Sequence, residues 1–549
     1  MVASAMGALF LDLALAVGLG WPAWAHPASV TIGGRQDAPY SVWAFAWVAR
    51  AVTSGRSPWV TSHLSSPGGV NLLTNATATG LGLTLIPVTR IWGPLASFNV
   101  AATAALAGTA WSTQMVLRRS GLASGPAAWI GGVVAGFGPT ALAQTGGGHL
   151  HVTAAFLLPP LLLGVGRLAS GTARRPRWWG AAIGLLAAVQ LLVGEELLAI
   201  AALAAAVGLV ASGRRVCWRP LLEGGAVAAI SFGVAAAYPL WVQFAGPAHI
   251  TGPIQAGDLY RNDLAGFVVP IHQVWLGSGW AAGLARHFSS EGSAYLGLPL
   301  FVLGAIVAAR HRGDVRVRVV AVATATVAVL SLGSHLSVGG HATGLPLPWA
   351  LFAHRPLVES LVPVRFGVVL DLGFGALLAV ALDDVGGWRA VALTGLCLLP
   401  LVPTLPFRTT RWSVPAFFAS TRSELRNGAL IVISPYPSEA DPPVEVWLAE
   451  AGARWRSGGG TYFVPGPQGR VTIGGPVAPA DAIDVRLEEG ITAAALAPLR
   501  DVVRADLRAR HVDAVLAGPG AHRDEVRRWW TALLGPPRSA GGVDLWAIS

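Results

Sequence analysis

The chain predicts an all-α, polytopic membrane domain followed by a smaller α/β domain. Three observations carry this. About eleven long apolar segments occupy the first ~405 residues, and a hydrocarbon core needs roughly 20 apolar residues per helical crossing. Arg residues fall in alternate connections between those segments. Beyond residue ~406 the pattern becomes short apolar strands between amphipathic helices.

Composition points the same way. The chain is 53% hydrophobic and 12% charged, with mean hydropathy +0.56. Soluble domains average about 25% charged residues. The net charge of +10 comes entirely from Arg, since the sequence contains no Lys, as in a GC-rich bacterial genome of the actinobacterial kind. Many of these Arg lie in short loops between apolar runs, which is a topology signal rather than a nucleic-acid surface. Cys217 and Cys397 are far apart in the chain and suggest neither a disulfide framework nor a metal site.

The elements follow in order, with the N-terminus placed in the cytoplasm. The first run, Ala3 to Ala25, lacks a basic n-region and is long for a signal peptide, so it reads as an uncleaved helix despite Ala23-Trp24-Ala25. Residues 26–95 form a long outer segment. A second helix, 96–116, returns to Arg118 and Arg119. Two hairpins follow, 123–142 with 150–167 and 179–194 with 197–212, each returning to an Arg cluster. Helix 222–243 exits to an outer loop, 246–292. Helix 294–309 returns to Arg310 and Arg312, 319–334 exits, 365–382 returns, and 390–405 exits. Residues 76–92 are moderately apolar and read as re-entrant or interfacial; with them the total is about 11–13 crossings. The membrane domain is thus 1–405, and 406–549 is an extracytoplasmic α/β domain. Its expected strands are Ala429–Ser434, Val512–Ala517 and Val543–Ile548. Its expected helices are Val444–Ala453, Ala493–Arg510 and Arg523–Leu534. Gly458-Gly459-Gly460 lacks the Lys and Ser/Thr of a phosphate loop and reads as a turn.

The polar singularities cluster on the outer side. Asp37 precedes Pro39 and a stretch, Ser41–Ala51, with Trp43 and Trp47 at i, i+4, which reads as a helix lying at headgroup level. Such a helix would hold Asp37 near the mouth of the bundle, where a carboxylate can act as general base. Asn71 and Asn75 follow a Pro-Gly-Gly turn. Gln144, three Gly, His149 and His151 form another turn; the i, i+2 spacing of the His is not a same-face metal pair. Gly194-Glu195-Glu196 is a hairpin tip at membrane depth, and Glu195 is the carboxylate expected to face a cavity. Arg365 enters an apolar run from the outer side, against the positive-inside bias. Its guanidinium fork suits a phosphate, and Asp371 is a deeper acid whose pairing with it stays open. The loop 246–292 adds His249, Asp258, Tyr260, Arg261, Asp263, His272, His287 and Glu291 as one wall of an outer cavity, too many for any one to be singled out.

In this order the marks resemble the GT-C superfamily of polyprenyl-phosphate-sugar-dependent glycosyltransferases. The resemblance rests on Asp37 and the helix behind it, Pro67-Gly68-Gly69-Val70-Asn71-Leu72, the turn Gln144 to Leu150, Pro363-Val364-Arg365-Phe366 and the soluble tail. It covers residues 26–385. It implies that Asp37 is the catalytic residue. The residues themselves then suggest Arg365, with His149, at the donor phosphate, and Glu195, Asn71 and Gln144 as further substrate contacts. Many members carry a pair of acids in the first outer loop. Here Asp37 follows Gln36, so a metal-free mechanism is expected, with no cofactor. The expected donor is a polyprenyl-phosphate-linked sugar, and the acceptor a cell-envelope glycan, lipid or protein at the outer face of the plasma membrane. Membrane lipids are partners and nucleic acid is not. Two other classes stay open: a multi-pass transporter or lipid flippase, and a non-catalytic envelope assembly protein of the same fold.

Overall fold

A computed structural model describes residues 2–255, 258–288, 291, 293–420, 425–437 and 443–548, without the side chains of 2–5 and 443. The helices of the first part are α1 (Val2–Leu19), α2 (Ala38–Thr53), α3 (Ile86–Ser120), α4 (Gly125–Phe137), α5 (Pro139–Gly147), α6 (Leu150–Thr153), α7 (Leu158–Ala169) and α8 (Pro176–Ser212). They continue as α9 (Trp218–Ala245), α10 (Leu298–Arg310), α11 (Val315–Ser331), α12 (Gly367–Val385) and α13 (Gly387–Leu398). Six helical segments are long and apolar enough to cross a membrane: Ile86–Ser120, Gly125–Gly147, Leu150–Ala169, Pro176–Arg215, Trp218–Ala245 and Pro363–Val385. Shorter apolar helices are Met6–Leu19, Leu298–Arg310 and Gly387–Leu401.

The longest helix is broken in its middle, because Gly194 has extended angles (φ −175°, ψ 99°). Each half is then roughly 27 Å long at 1.5 Å per residue, enough to cross once. Both ends of α8 meet the same Arg-rich layer. Arg177 pairs with Glu223 at 2.7 Å, and Arg318 Nε donates to Ala211 O at 3.1 Å. Arg316 Nη1 donates to Gly121 O at 2.7 Å, and Arg167 stacks on Trp179. Arg318 and Arg316 thereby satisfy carbonyls at helix C-terminal ends. Gly194 lies at the opposite end, against His151 O. The break thus makes the hairpin expected from the sequence, and each of the eleven apolar runs coincides with helix.

Exposed Trp mark two levels, as interfacial aromatics do. Trp178, Trp218 and Trp388 adjoin the Arg-rich end; Trp92, Trp241 and Trp275 adjoin the other. Inside the bundle α12 is almost wholly buried. Small residues permit the closest approach: a Cβ on Gly131 or on Gly375 would come within 2.5 Å of the other's carbonyl oxygen. Asp371 is buried on α12 and accepts from Ala141 N at 3.2 Å, which places its carboxyl group at the N-terminus of α5. Arg365 is not its partner.

Residues 76–92 do not cross. Thr79–Thr84 is a short helix against α2 and the bend of α8, where Gly80 meets Leu192 and Gly82 meets Phe45. α3 begins at Ile86 and is itself broken at Gly93 before its apolar stretch.

The tail holds a five-stranded sheet built from β1 (Leu430–Ser434), β2 (Arg456–Ser457), β3 (Ala514–Ala517), β4 (Arg538–Ala540) and β5 (Val543–Ala547). Its order is β4-β5-β3-β1-β2, with β3, β1 and β2 parallel and β5 antiparallel to both its neighbours, β3 and β4. Helices Pro443–Glu450, Pro479–Glu488, Arg500–Ala509 and Arg523–Leu534 pack on it.

The tail is stitched to the first outer segment. Thr409–Arg411 pairs antiparallel with Val30–Ile32. One apolar core joins Trp43, Phe45 and Trp47 to Ile431, Trp447 and Tyr462. α2 therefore does not lie at headgroup level. Trp43 and Trp47 are buried, because the tail covers the face that the amphipathic pattern alone would give to lipid. The Gly458–Gly460 turn lets the backbone come close: Ser65 N donates to Gly459 O at 3.1 Å.

Candidate functional site

The end of the bundle under the tail contains a cavity of about 860 Å³. Its walls come from the Asp37 loop, the segment 72–79, the bend of α8, the outer end of α9, residues near 360 and two tail residues, Thr461 and Phe463.

Asp37 sits at the N-terminus of α2, half-buried, with its backbone N–H on Gly147 O at 3.3 Å. Gly148 makes this approach possible. Its φ is +84°, and a Cβ there would fall 2.7 Å from Ala38 N. His149 follows directly, with Nε2 3.7 Å from Asp37 Oδ2 and Nδ1 2.7 Å from Gln144 Oε1. Gln144 Nε2 donates to Glu291 O at 3.4 Å, which orients the amide and so assigns a proton to His149 Nδ1. The other ring nitrogen then faces the Asp37 carboxylate.

Arg365 lies deeper. Nη1 donates to Glu196 Oε2 at 2.7 Å, and Nη2 and Nε donate to Glu291 Oε1 and Oε2 at 2.8 Å each. Glu196 also accepts from Val362 N at 2.6 Å. His151 Nε2 is 3.4 Å from Arg365 Nη1. Burial works against the Glu291 carboxylate, but the guanidinium beside it prevails and holds its pKa below the ordinary value. Arg365 was expected to meet a donor phosphate. Here its charge is already answered by two carboxylates, because the bend of α8 and the loop before α10 both bring an acid to it.

Glu195 also lines the cavity and accepts from Gln243 Nε2 at 2.6 Å. One carboxylate of the adjacent pair was expected to face a cavity; both do, from opposite sides. Glu195 leans to α9 and Glu196 to the start of α12, because adjacent positions on the helix that resumes after Gly194 point about 100° apart.

Two expected contacts lie behind the wall. Asn71 is fully buried, donating to Val242 O at 2.7 Å and Pro247 O at 3.3 Å while accepting from Leu73 N. Gln144 is buried and acts through His149. The sequence missed the partnership of Arg365 with Glu196 and Glu291; a buried Arg beside lone acids in distant loops was the available signal. Asn75, a candidate polar contact beside Asn71, brackets Phe463 of the tail with its amide: Nδ2 donates to its O at 3.0 Å and Oδ1 accepts from its N at 2.8 Å. Among the described residues no three His, Cys, Asp or Glu converge as a metal site.

The fold is similar to that of the arabinofuranosyltransferase AftD from Mycobacteria, known by single-particle cryo-EM. Identity is 14% and the TM-score 0.58, over 99% of this chain and 40% of that one. This chain thus spans well under half the length of that protein. Lesser likenesses are to ArnT from Cupriavidus metallidurans bound to undecaprenyl phosphate (15% identity, TM-score 0.41, 72% of this chain and 61% of that) and to the Archaeoglobus fulgidus oligosaccharyltransferase (10%, 0.45, 94% and 69%). No protein-family model and no curated protein sequence matches. The likeness to AftD establishes the GT-C fold and leaves the reaction to be argued from the site.

Proposed function

We propose that this membrane protein of the GT-C fold transfers a sugar from a polyprenyl-phosphate donor to a hydroxyl of a cell-envelope acceptor. The Arg-rich end would be cytoplasmic by the positive-inside rule, which puts the cavity and the tail on the outer face of the plasma membrane. The observation that carries the reading is Asp37. It stands at the mouth of an 860 Å³ cavity, pinned by its backbone to Gly147 and faced by His149.

In the proposed step the acceptor hydroxyl gives its proton to the Asp37 carboxylate. The acceptor oxygen forms the new bond to the anomeric carbon. The bond from that carbon to the phosphate oxygen breaks, and its electron pair leaves on the phosphate, with inversion. His149 is a positioning residue beside Asp37: its Nδ1 is fixed on Gln144 Oε1 and its Nε2 stands 3.7 Å from Asp37 Oδ2. The carboxylates of Glu195 and Glu196 supply acceptors for sugar hydroxyls. A glycan, a lipid or a protein could provide the attacking hydroxyl.

The test is transfer from a panel of radiolabelled polyprenyl-phosphate sugars to envelope extracts by the purified full chain. Label should move with wild type and not with Asp37→Asn. Equal transfer by both would remove Asp37 as the base, and binding without transfer by wild type would favour an assembly role.

A further inference from the structure

The charges of the cavity are lopsided. Asp37, Glu195, Glu196, Glu291 and Glu359 line it against Arg35 and Arg365. By formal charge Arg365 and its two glutamates sum to −1, so Arg365 offers an incoming phosphate no net positive charge. If the site takes a phosphate donor, a different cation has to meet it.

Arg35 fits that need. It is exposed and lines the cavity two residues before Asp37. Among the described residues it has no carboxylate partner. Its guanidinium instead lies over the Trp412 ring, 5.7 Å from the centroid. That ring is buried and locked, with Nε1 donating to Thr31 Oγ1 at 2.8 Å. A guanidinium stacked on a fixed ring keeps the N–H groups at its edge free for an acceptor in its plane. Arg408 stands next to it: a Cβ on Gly34 would meet Arg408 Cζ at 3.0 Å. Arg408 is exposed and likewise has no carboxylate partner among the described residues. The pairing of Thr409–Arg411 with Val30–Ile32 holds Arg35, Trp412 and Arg408 together.

We propose that Arg35, stacked on Trp412 and backed by Arg408, receives the donor phosphate, while Arg365 holds the cavity together. This rests on the reading of the cavity as a polyprenyl-phosphate site. It orients the donor: the phosphate lies at the Arg35 rim and the sugar points toward the carboxylates beyond Asp37. The leaving phosphate then departs onto a guanidinium placed where negative charge develops. Burial and then the charge of Arg408 hold His272 below its ordinary pKa, in keeping with a positive rim.

The experiment is a binding titration of the full chain in detergent with a short-chain polyprenyl monophosphate and with the corresponding alcohol. Arg35→Ala should weaken phosphate binding by about ten- to a hundredfold and leave the alcohol unchanged. Arg35→Lys should recover part of the loss, and Arg408→Ala should give a smaller one. Phosphate binding should weaken with added salt in wild type and much less so in Arg35→Ala. Wild-type affinity in Arg35→Ala, with loss confined to an Arg365→Lys protein that melts normally, would overturn the assignment. A wild type that does not prefer the phosphate to the alcohol would instead overturn the donor reading beneath it.

Discussion

Arg365 grips Glu291 with two parallel bonds of 2.8 Å, and the same guanidinium reaches Glu196 at 2.7 Å. All three side chains are nearly closed to solvent. One residue thereby ties the start of α12 to the bend of α8 and to the loop before α10. Removing Arg365 leaves two buried carboxylates without their cation. Breaking such a pair costs about 3–5 kcal/mol. Arg365→Ala should therefore melt several degrees lower in a thermal-shift assay in detergent, and Glu196→Gln should do so by less.

Asp37 acts in the proposed step only as the acceptor attacks. Asp37→Asn should lower the transfer rate by about 10²–10⁴-fold, the usual worth of a general base. Donor affinity should stay within a few-fold of wild type. A matched fall in both would place Asp37 in donor binding instead.

Gly148 has φ +84° and no room for a Cβ beside Ala38 N. Gly148→Ala has to shift the Asp37 loop away from His149. We expect about 1–3 kcal/mol of lost stability together with a fall in kcat. Gly146→Ala has nothing within 4 Å of the added carbon and serves as the control, expected to be near neutral.

The junction of tail and membrane domain carries two groups that titrate in opposite senses. Glu445 is buried and accepts from Thr461 N and Oγ1; burial outweighs those bonds and raises its pKa to about 7. Its folded pKa lies above the unfolded value, so its contribution is full below pH ~4.5 and fades as pH rises through 7. His63 accepts no such gain. Burial lowers its pKa to about 4 despite its bond to Ala453 O, so its contribution is full above pH ~6.5 and fades as pH falls toward 4. Melting curves should show Glu445→Gln gaining on wild type as pH rises from 5 to 8. The His63→Asn protein should gain on it as pH falls from 7 to 4.

Asn75 fastens the tail over the cavity through both bonds to Phe463. Asn75→Ala should loosen the docking by about 1–3 kcal/mol. Limited proteolysis should then cut near residues 458–475 faster, while the helical bundle stays intact.

By itself the sequence determined the helical runs, their alternation, the Gly194 hairpin and most strands of the tail. Each depends on local pattern: apolar length, Arg at the ends, and a break where Gly permits one. Asp37, His149 and Glu195 stood out for the same reason, as polar residues stranded at helix ends, and the structure puts all three on the cavity wall. What the sequence left undecided was how charges far apart along the chain are shared out. Arg365 looked free because its partners, Glu196 and Glu291, lie 169 and 74 positions away. Trp43 and Trp47 looked lipid-facing because the tail that covers them follows some 400 residues later. Only the tertiary structure decided these matters. Coulomb attraction and apolar burial act through space, and the fold sets which groups come within their reach.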